Sequence, residues 1–206
     1  MKLSPLTATE MRAFEEFAVE KYGVTIESMM KRAGQAVFEV AIKECPHKNV
    51  LVVAGKGNNG GDALVVAELL KKEGIKVTVY QPYKEQSDKI DWGNYDLIID
   101  GLFGFSLKGN PRVPANRIIE EMNRSGVPIL SIDVPSGLDA ETGQLMRPAI
   151  KAKYTVTLGM PKVGLDTHKD HVGKLFLGNV GIPENAYLEI GLPAPGFFGK
   201  NYIPLD

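Results

Sequence analysis

Asp100 and Asp133 each close a short apolar run. At the carboxyl end of a strand, a carboxylate faces the crevice of an open α/β sheet and can hold a cation or polarise a substrate. The plainer alternative is that each caps its own turn, Asp-Gly in one case and Asp-Val-Pro-Ser-Gly in the other. Two such acids beside an anion-binding loop favour chemistry. That loop is Gly55-Lys56-Gly57-Asn58-Asn59-Gly60-Gly61-Asp62, between an apolar strand and a helix. Strand, glycine-rich turn and helix leave unpaired N–H groups and a positive dipole end aimed at one spot, a natural seat for nucleotide phosphate. The spacing also fits the first glycines of the dinucleotide fingerprint. That fingerprint wants an acid about 20 residues on, and the next strand ends in Tyr80-Gln81-Pro82. A P-loop is excluded too, because Gly61-Asp62 stands where Lys-Ser/Thr should be. An acid there repels phosphate unless a cation intervenes or the helix absorbs its charge. Asn59, Asp100 and Ser136 offer oxygen ligands with one formal charge. That suits a large monovalent cation better than zinc, which favours His and Cys, or calcium, which takes more carboxylates.

The elements that must position these residues follow from periodicity. Thr7-Ala8-Thr9-Glu10 reads as a capping box opening a first helix. Ile26, Met30, Ala33, Val37, Val40 and Ala41 form one apolar face of a longer helix ending before Pro46. Met29 and Met30 read as core. Apolar runs at 49–53, 76–80, 96–100, 128–132 and 153–158 read as buried parallel strands, and 173–177 as one more. Helical stretches are expected at 61–73 and 114–124. This alternation predicts a three-layer α/β/α fold, a Rossmann-like, doubly wound, mostly parallel sheet with its ligands beyond the strand carboxyl ends. The three loops that follow the runs ending near 53, 100 and 132 should therefore converge. The tail 191–206, rich in Pro, Gly and aromatics, reads as irregular, with Phe197, Phe198 and Tyr202 packing on its own domain or a partner.

Bulk properties narrow the class. A chain of 206 residues is expected to form one domain. A net charge of -1 with interspersed charges gives no nucleic-acid footprint. The single Cys45 excludes an internal disulfide. No long apolar run or signal-peptide core is present, so a soluble, cytoplasmic protein without membrane contact is expected. His168 and His171 read as solvated for want of a third ligand, and Trp92 as packing.

Asn58-Asn59-Gly60-Gly61-Asp62 resembles the NNGGD motif of the YjeF N-terminal domain family, the NAD(P)H-hydrate epimerases. Asp100-Gly101-Leu102-Phe103-Gly104 and Ser131-Ile132-Asp133-Val134-Pro135-Ser136-Gly137-Leu138-Asp139 resemble its second and third loops. Thr155-Val156-Thr157-Leu158-Gly159-Met160-Pro161-Lys162 and Gly178-Asn179-Val180-Gly181-Ile182-Pro183 are similar to its last two segments, so the match runs from about Met11 to Pro183. The resemblance implies epimerisation of R-NADHX and R-NADPHX at C6 of the hydrated nicotinamide ring. It implies K+ at Asn59, Asp100 and Ser136. Substrate contacts would come from Asn58, Asn59, Gly60, Gly61 and Asp62, from Gly104, Phe105, Ser106, Leu107, Lys108, Gly109 and Asn110, and from Asp133. Asp133 is the expected acid–base residue, and Asp133→Asn is expected to cost activity with little loss of stability. Lys162 is the candidate proton shuttle or phosphate contact, weighed against an ordinary surface lysine. A homodimer working with a separate NAD(P)HX dehydratase is expected. Two departures stand out: the family's Gly-Thr-Gly-Leu is Gly104-Phe105-Ser106-Leu107 here, and Lys31-Arg32 replace a Glu-Asn pair. The competing readings are a binding or dimerisation scaffold, and a dinucleotide dehydrogenase, which lacks its ribose acid.

Overall fold

The computed structural model describes residues 3–45, 47–84 and 90–205. Helices α1 (Ala8–Tyr22) and α2 (Ile26–Glu44) precede an alternation of β1 (Asn49–Ala54), α3 (Asn58–Lys72), β2 (Lys76–Tyr80), β3 (Leu97–Gly101), α4 (Ala115–Arg124) and β4 (Ile129–Ile132). There follow β5 (Tyr154–Leu158), the one-turn α5 (Lys169–Val172), β6 (Lys174–Gly178), α6 (Glu184–Glu189) and β7 (Tyr202–Leu205). The strands form one seven-stranded sheet in the order β2-β1-β3-β4-β5-β6-β7. All neighbours are parallel except β7, which runs antiparallel to β6. This is the expected doubly wound α/β fold. The winding reverses between β1 and β3, and the crevice of such sheets lies beyond the strands at that reversal.

Side chains alternating along β1 divide the core into two layers. Val50, Val52 and Ala54 pack with α1, α2, α3 and α6 on one face, while Leu51 and Val53 pack with Ile118, Ile119 and Met122 of α4 on the other. Thr7 closes the capping box at the start of α1, donor and acceptor both satisfied by Glu10. Among the described residues no helix is long and apolar enough to cross a membrane.

Five expectations are corrected. Strand β2 is not buried on both faces: it lies at the sheet edge, with Lys76 and Thr78 exposed. Helix α3 starts at Asn58, not 61, so the motif glycines lie inside its first turns. Ile26 is 56% exposed, and Gly34 and Ala36 take buried places on α2 instead. The tail is not wholly irregular: β7 closes the sheet, and Tyr202 packs edge-on against Phe176. Phe198 is exposed. His171 is half-buried, with its Nδ1 2.8 Å from the Ile150 carbonyl oxygen. Trp92 packs edge-on against Tyr80 as expected, and Cys45 is buried, its thiol pushed up to about 12 chiefly by desolvation.

Candidate active site

The loops after β1, β3 and β4 meet over one cavity of about 630 Å³, within the range of small-molecule sites. Lys56, Gly57, Asn58, Asn59 and Asp62 supply one wall, and the segment from Leu102 to Lys108 another. Asp133, Leu158, Tyr83 and Glu15 complete the lining. Gly60, Gly61, Asp100, Ser136 and Lys162 sit behind these residues rather than on the surface of the cavity. Asn110 is directed elsewhere, accepting a bond from the Arg147 amide at 3.0 Å.

At the N-terminus of α3, Gly57 makes no side-chain cap. The first-turn amides are therefore left for a ligand, and the helix dipole favours an anion there. The two glycines serve close approach. A methyl at Gly60 would overlap the Gly55 carbonyl, and one at Gly61 would come within 2.6 Å of the Met30 side chain on α2. Asp62, one turn further in, is buried, and its carboxyl is pushed well above the usual carboxylate range. Desolvation is the main cause; the Asp133 and Glu15 charges add to it and Lys162 opposes it. That upward shift lessens the repulsion an acid would exert on phosphate.

Asp133 occupies the left-handed region at φ 68°, a conformation few residues other than glycine tolerate and Asp among them. Its amide bonds the Val156 carbonyl at 2.7 Å, which anchors the turn to β5. The carboxylate is held on both oxygens: Oδ1 accepts from Lys162 Nζ at 2.6 Å and the Leu158 amide at 3.3 Å, and Oδ2 from the Phe105 amide at 3.0 Å. Lys162 is not a surface lysine. It is 1% exposed, and its ammonium also donates to the Leu158 carbonyl at 2.6 Å and Thr157 Oγ1 at 3.4 Å. Its three protons are accounted for. The enlarged second loop finds room because the Phe105 ring covers this ion pair, 5.6 Å from Nζ, while Ser106 accepts a bond from Arg12 at 3.2 Å. Gly104 remains needed: a Cβ there would lie 3.1 Å from Asp133 Oδ2 and 3.3 Å from Asn59 Oδ1.

Asp100 and Ser136 are brought together as expected, with Ser136 Oγ donating to Asp100 Oδ1 at 2.7 Å. The Ser136 amide and Ser131 hydroxyl bond Oδ2, each at 2.9 Å, and the Leu102 amide bonds Oδ1 at 3.2 Å. Asp100 is fully buried, and desolvation raises its carboxyl despite these bonds. Asn59 approaches from α3. Its backbone carbonyl stands 3.1 Å from where a Gly101 Cβ would be, and its side-chain nitrogen is buried without a partner.

Glu15 was absent from the expected site. It comes from α1, on the flank of the face that buries Met11, Phe14 and Ala18. An acid bordering a helix's apolar stripe was the available signal, but its meaning depends on which strand end the helix crosses. Among the described residues no cluster of His, Cys, Asp and Glu is placed to hold a metal, His168 and His171 included.

Comparison with known proteins agrees with this geometry. The profile of the family described as YjeF-related protein N-terminus matches residues 26–93 and 81–164. A Lentilactobacillus buchneri protein named NAD(P)H-hydrate epimerase is 35% identical, over 86% of this chain and 94% of its own length. A Plasmodium vivax protein of the same name is 34% identical over 92% of this chain and 74% of its own. The Escherichia coli bifunctional NAD(P)H-hydrate repair enzyme Nnr is 36% identical over 85% of this chain, which spans 39% of that protein. The crystal structure of yeast ynu0 superposes with a TM-score of 0.87 at 26% identity, covering 98% of this chain and all of the yeast chain. With the motif loops gathered at the winding reversal and relatives matched along nearly the whole length, this chain belongs to the YjeF-related protein N-terminus family.

Proposed function

We propose that the protein is an NAD(P)H-hydrate epimerase, interconverting the R and S forms of hydrated NADH and NADPH at C6 of the nicotinamide ring. The observation that carries this reading is the convergence on one cavity of a free helix N-terminus and the Asp133 carboxylate. The first suits the dinucleotide phosphates. The second suits the positive charge that develops when the C6 hydroxyl departs and the ring nitrogen shares its electrons. Asp133 is preorganised for that task because Lys162, Leu158 and Phe105 fix both its oxygens. Lys162 holds Asp133 in place. Asn58 to Asp62 and Gly104 to Lys108 would bind substrate, with Gly60 and Gly61 acting through the backbone. A non-catalytic scaffold role draws no support from a site this complete.

Asn59, Asp100 and Ser136 would hold one K+. The donor set fits: a fully buried carboxylate with no basic side chain among its partners, a hydroxyl, and a buried amide end that lacks a bond and would present its oxygen if turned over. Such an ion would offset the Asp100 charge beside the phosphate-binding helix end. The same reading takes the cytoplasm as compartment, a homodimer as working form, and a dehydratase as consumer of the S epimer. Incubating purified R-NADHX with the protein and following both epimers by chromatography tests the central claim. The epimer ratio is expected to relax faster with protein; identical relaxation with and without it overturns the reading.

A further inference from the structure

Beyond the Asp133–Lys162 pair, the site contains a carboxyl group that is bonded to nothing. Glu15 makes no hydrogen bond or ion pair among the described residues, yet it lines the 630 Å³ cavity. It also lines an adjoining cleft of about 370 Å³ between α1 and α2, whose walls include Met29, Met30 and Ala33. Glu15 therefore stands where the two spaces join, with Asp62 beside it in both linings. The epimerisation requires a group that can give a proton and take it back. Lys162 has spent its protons on Asp133, Leu158 and Thr157, and Asp133 is held on both oxygens.

We propose that Glu15 is the catalytic acid–base residue of this reaction, exchanging a proton with the C6 hydroxyl while Asp133 supplies fixed negative charge. The inference rests on the epimerase reading. In the step, the neutral Glu15 carboxyl protonates the C6 hydroxyl. The C–O bond breaks with its electron pair leaving on water, and the ring nitrogen's lone pair forms the iminium. Water then adds to C6 from the other face and returns one proton to the Glu15 carboxylate, so nothing is oxidised or reduced.

The surroundings poise Glu15 for this. Desolvation lifts its carboxyl to about 7; Lys162 and Arg12 hold it down, and Asp133 and Glu16 push it up. Asp62 faces it from α3 and Glu20 from its own helix, with Lys56, Tyr83 and Lys108 around the cavity. A group near 7 populates both protonation states at neutral pH, the condition under which proton exchange is fastest. Asp62 is the more deeply buried of the two, its carboxyl also raised chiefly by desolvation, and it is the alternative the test must separate from Glu15.

The test compares wild type, Glu15→Gln and Asp62→Asn between pH 5.5 and 8.5, measuring epimer interconversion, KM, and NADPH binding by equilibrium dialysis. Wild-type kcat should fall as pH rises through about 7, because the protonated form starts the step. Glu15→Gln should lower kcat by about 10²-fold or more, leave KM and NADPH binding within a few-fold, and abolish that pH limb. A Glu15→Gln enzyme with near-normal kcat, with only KM raised, or with the limb intact overturns the inference. So does loss of the limb in Asp62→Asn alone. If Glu15→Gln does not fold, Glu15→Asp decides: the shorter carboxyl should lower kcat and displace the limb, and an unchanged profile overturns the assignment. A wild type that does not accelerate epimerisation defeats the epimerase reading itself, a separate result.

Discussion

Asp133 and Lys162 form a pair that neither residue could sustain alone. Both are buried, and a buried ion whose partner is removed typically costs about 3–5 kcal/mol. Asp133→Asn should therefore lower the melting temperature measurably as well as cut turnover by about 10²-fold or more. That reverses the expectation that a site residue can be neutralised without loss of stability. The backbone is not the cause, since Asn tolerates a left-handed conformation. The charge left on Lys162 is. Combining Asp133→Asn with Lys162→Met should recover part of the stability but none of the activity, measured by thermal melting alongside the epimer assay. Additive losses in the double variant would show that the two side chains do not act as a pair. In the sequence, Asp133 could be found because it ends an apolar run before Val134-Pro135. The burial of Lys162 could not, because a lysine's environment is set by a partner 29 positions away.

Helix α3 shows the same limit at the level of an element. Two consecutive glycines argue for a turn on propensity, each weakening a helix by about 1 kcal/mol relative to Ala. Here the neighbours decide otherwise, because α3 must lie against both Gly55 and α2. Strands β1, β3, β4 and β5 were legible to within a residue or so because they are buried on both faces and read as continuous apolar runs. Strand β7 was hidden: its partner β6 lies on the far side of α6, and Pro204 interrupts its pattern. The two glycines of α3 should differ on substitution. Gly60→Ala meets a main-chain carbonyl that cannot yield, so it should unfold the loop region or depress the melting temperature strongly. Gly61→Ala meets only the flexible end of Met30 and gains helix propensity, so it should be much milder. Equal melting temperatures for the two variants would refute this account of the packing.

For the molecule as a whole, the buried carboxyls set how stability responds to its medium. The Glu15 carboxyl sits near 7 when folded and near its ordinary 4.5 when unfolded. Its contribution to stability is thus fully present below about 4.5 and is lost as pH rises through about 7, because the folded state keeps a proton that the unfolded chain releases. Glu15→Gln should remove that loss, so its melting temperature should gain on the wild type between pH 5 and 7.5; a constant difference across that range would contradict it. A bound K+ would stabilise only the folded state. Replacing potassium with tetramethylammonium at equal ionic strength should therefore lower the melting temperature of the wild type, and an unchanged value would exclude the ion. Leu6 has one more consequence. Its amide and carbonyl pair with Pro161 and Val163, zipping the start of α1 to the segment that carries Lys162. On a ribosome adding about 5–20 residues per second, α1 must wait on the order of 7–30 s for that segment to be made. Through that interval the apolar side chains of Met11 and Phe14 have no finished surface to cover them. Nascent chains stalled near residue 150 should accordingly be cut by protease within α1, whereas released chains should resist. The helix that is synthesised first would be among the last parts of the enzyme to find its place.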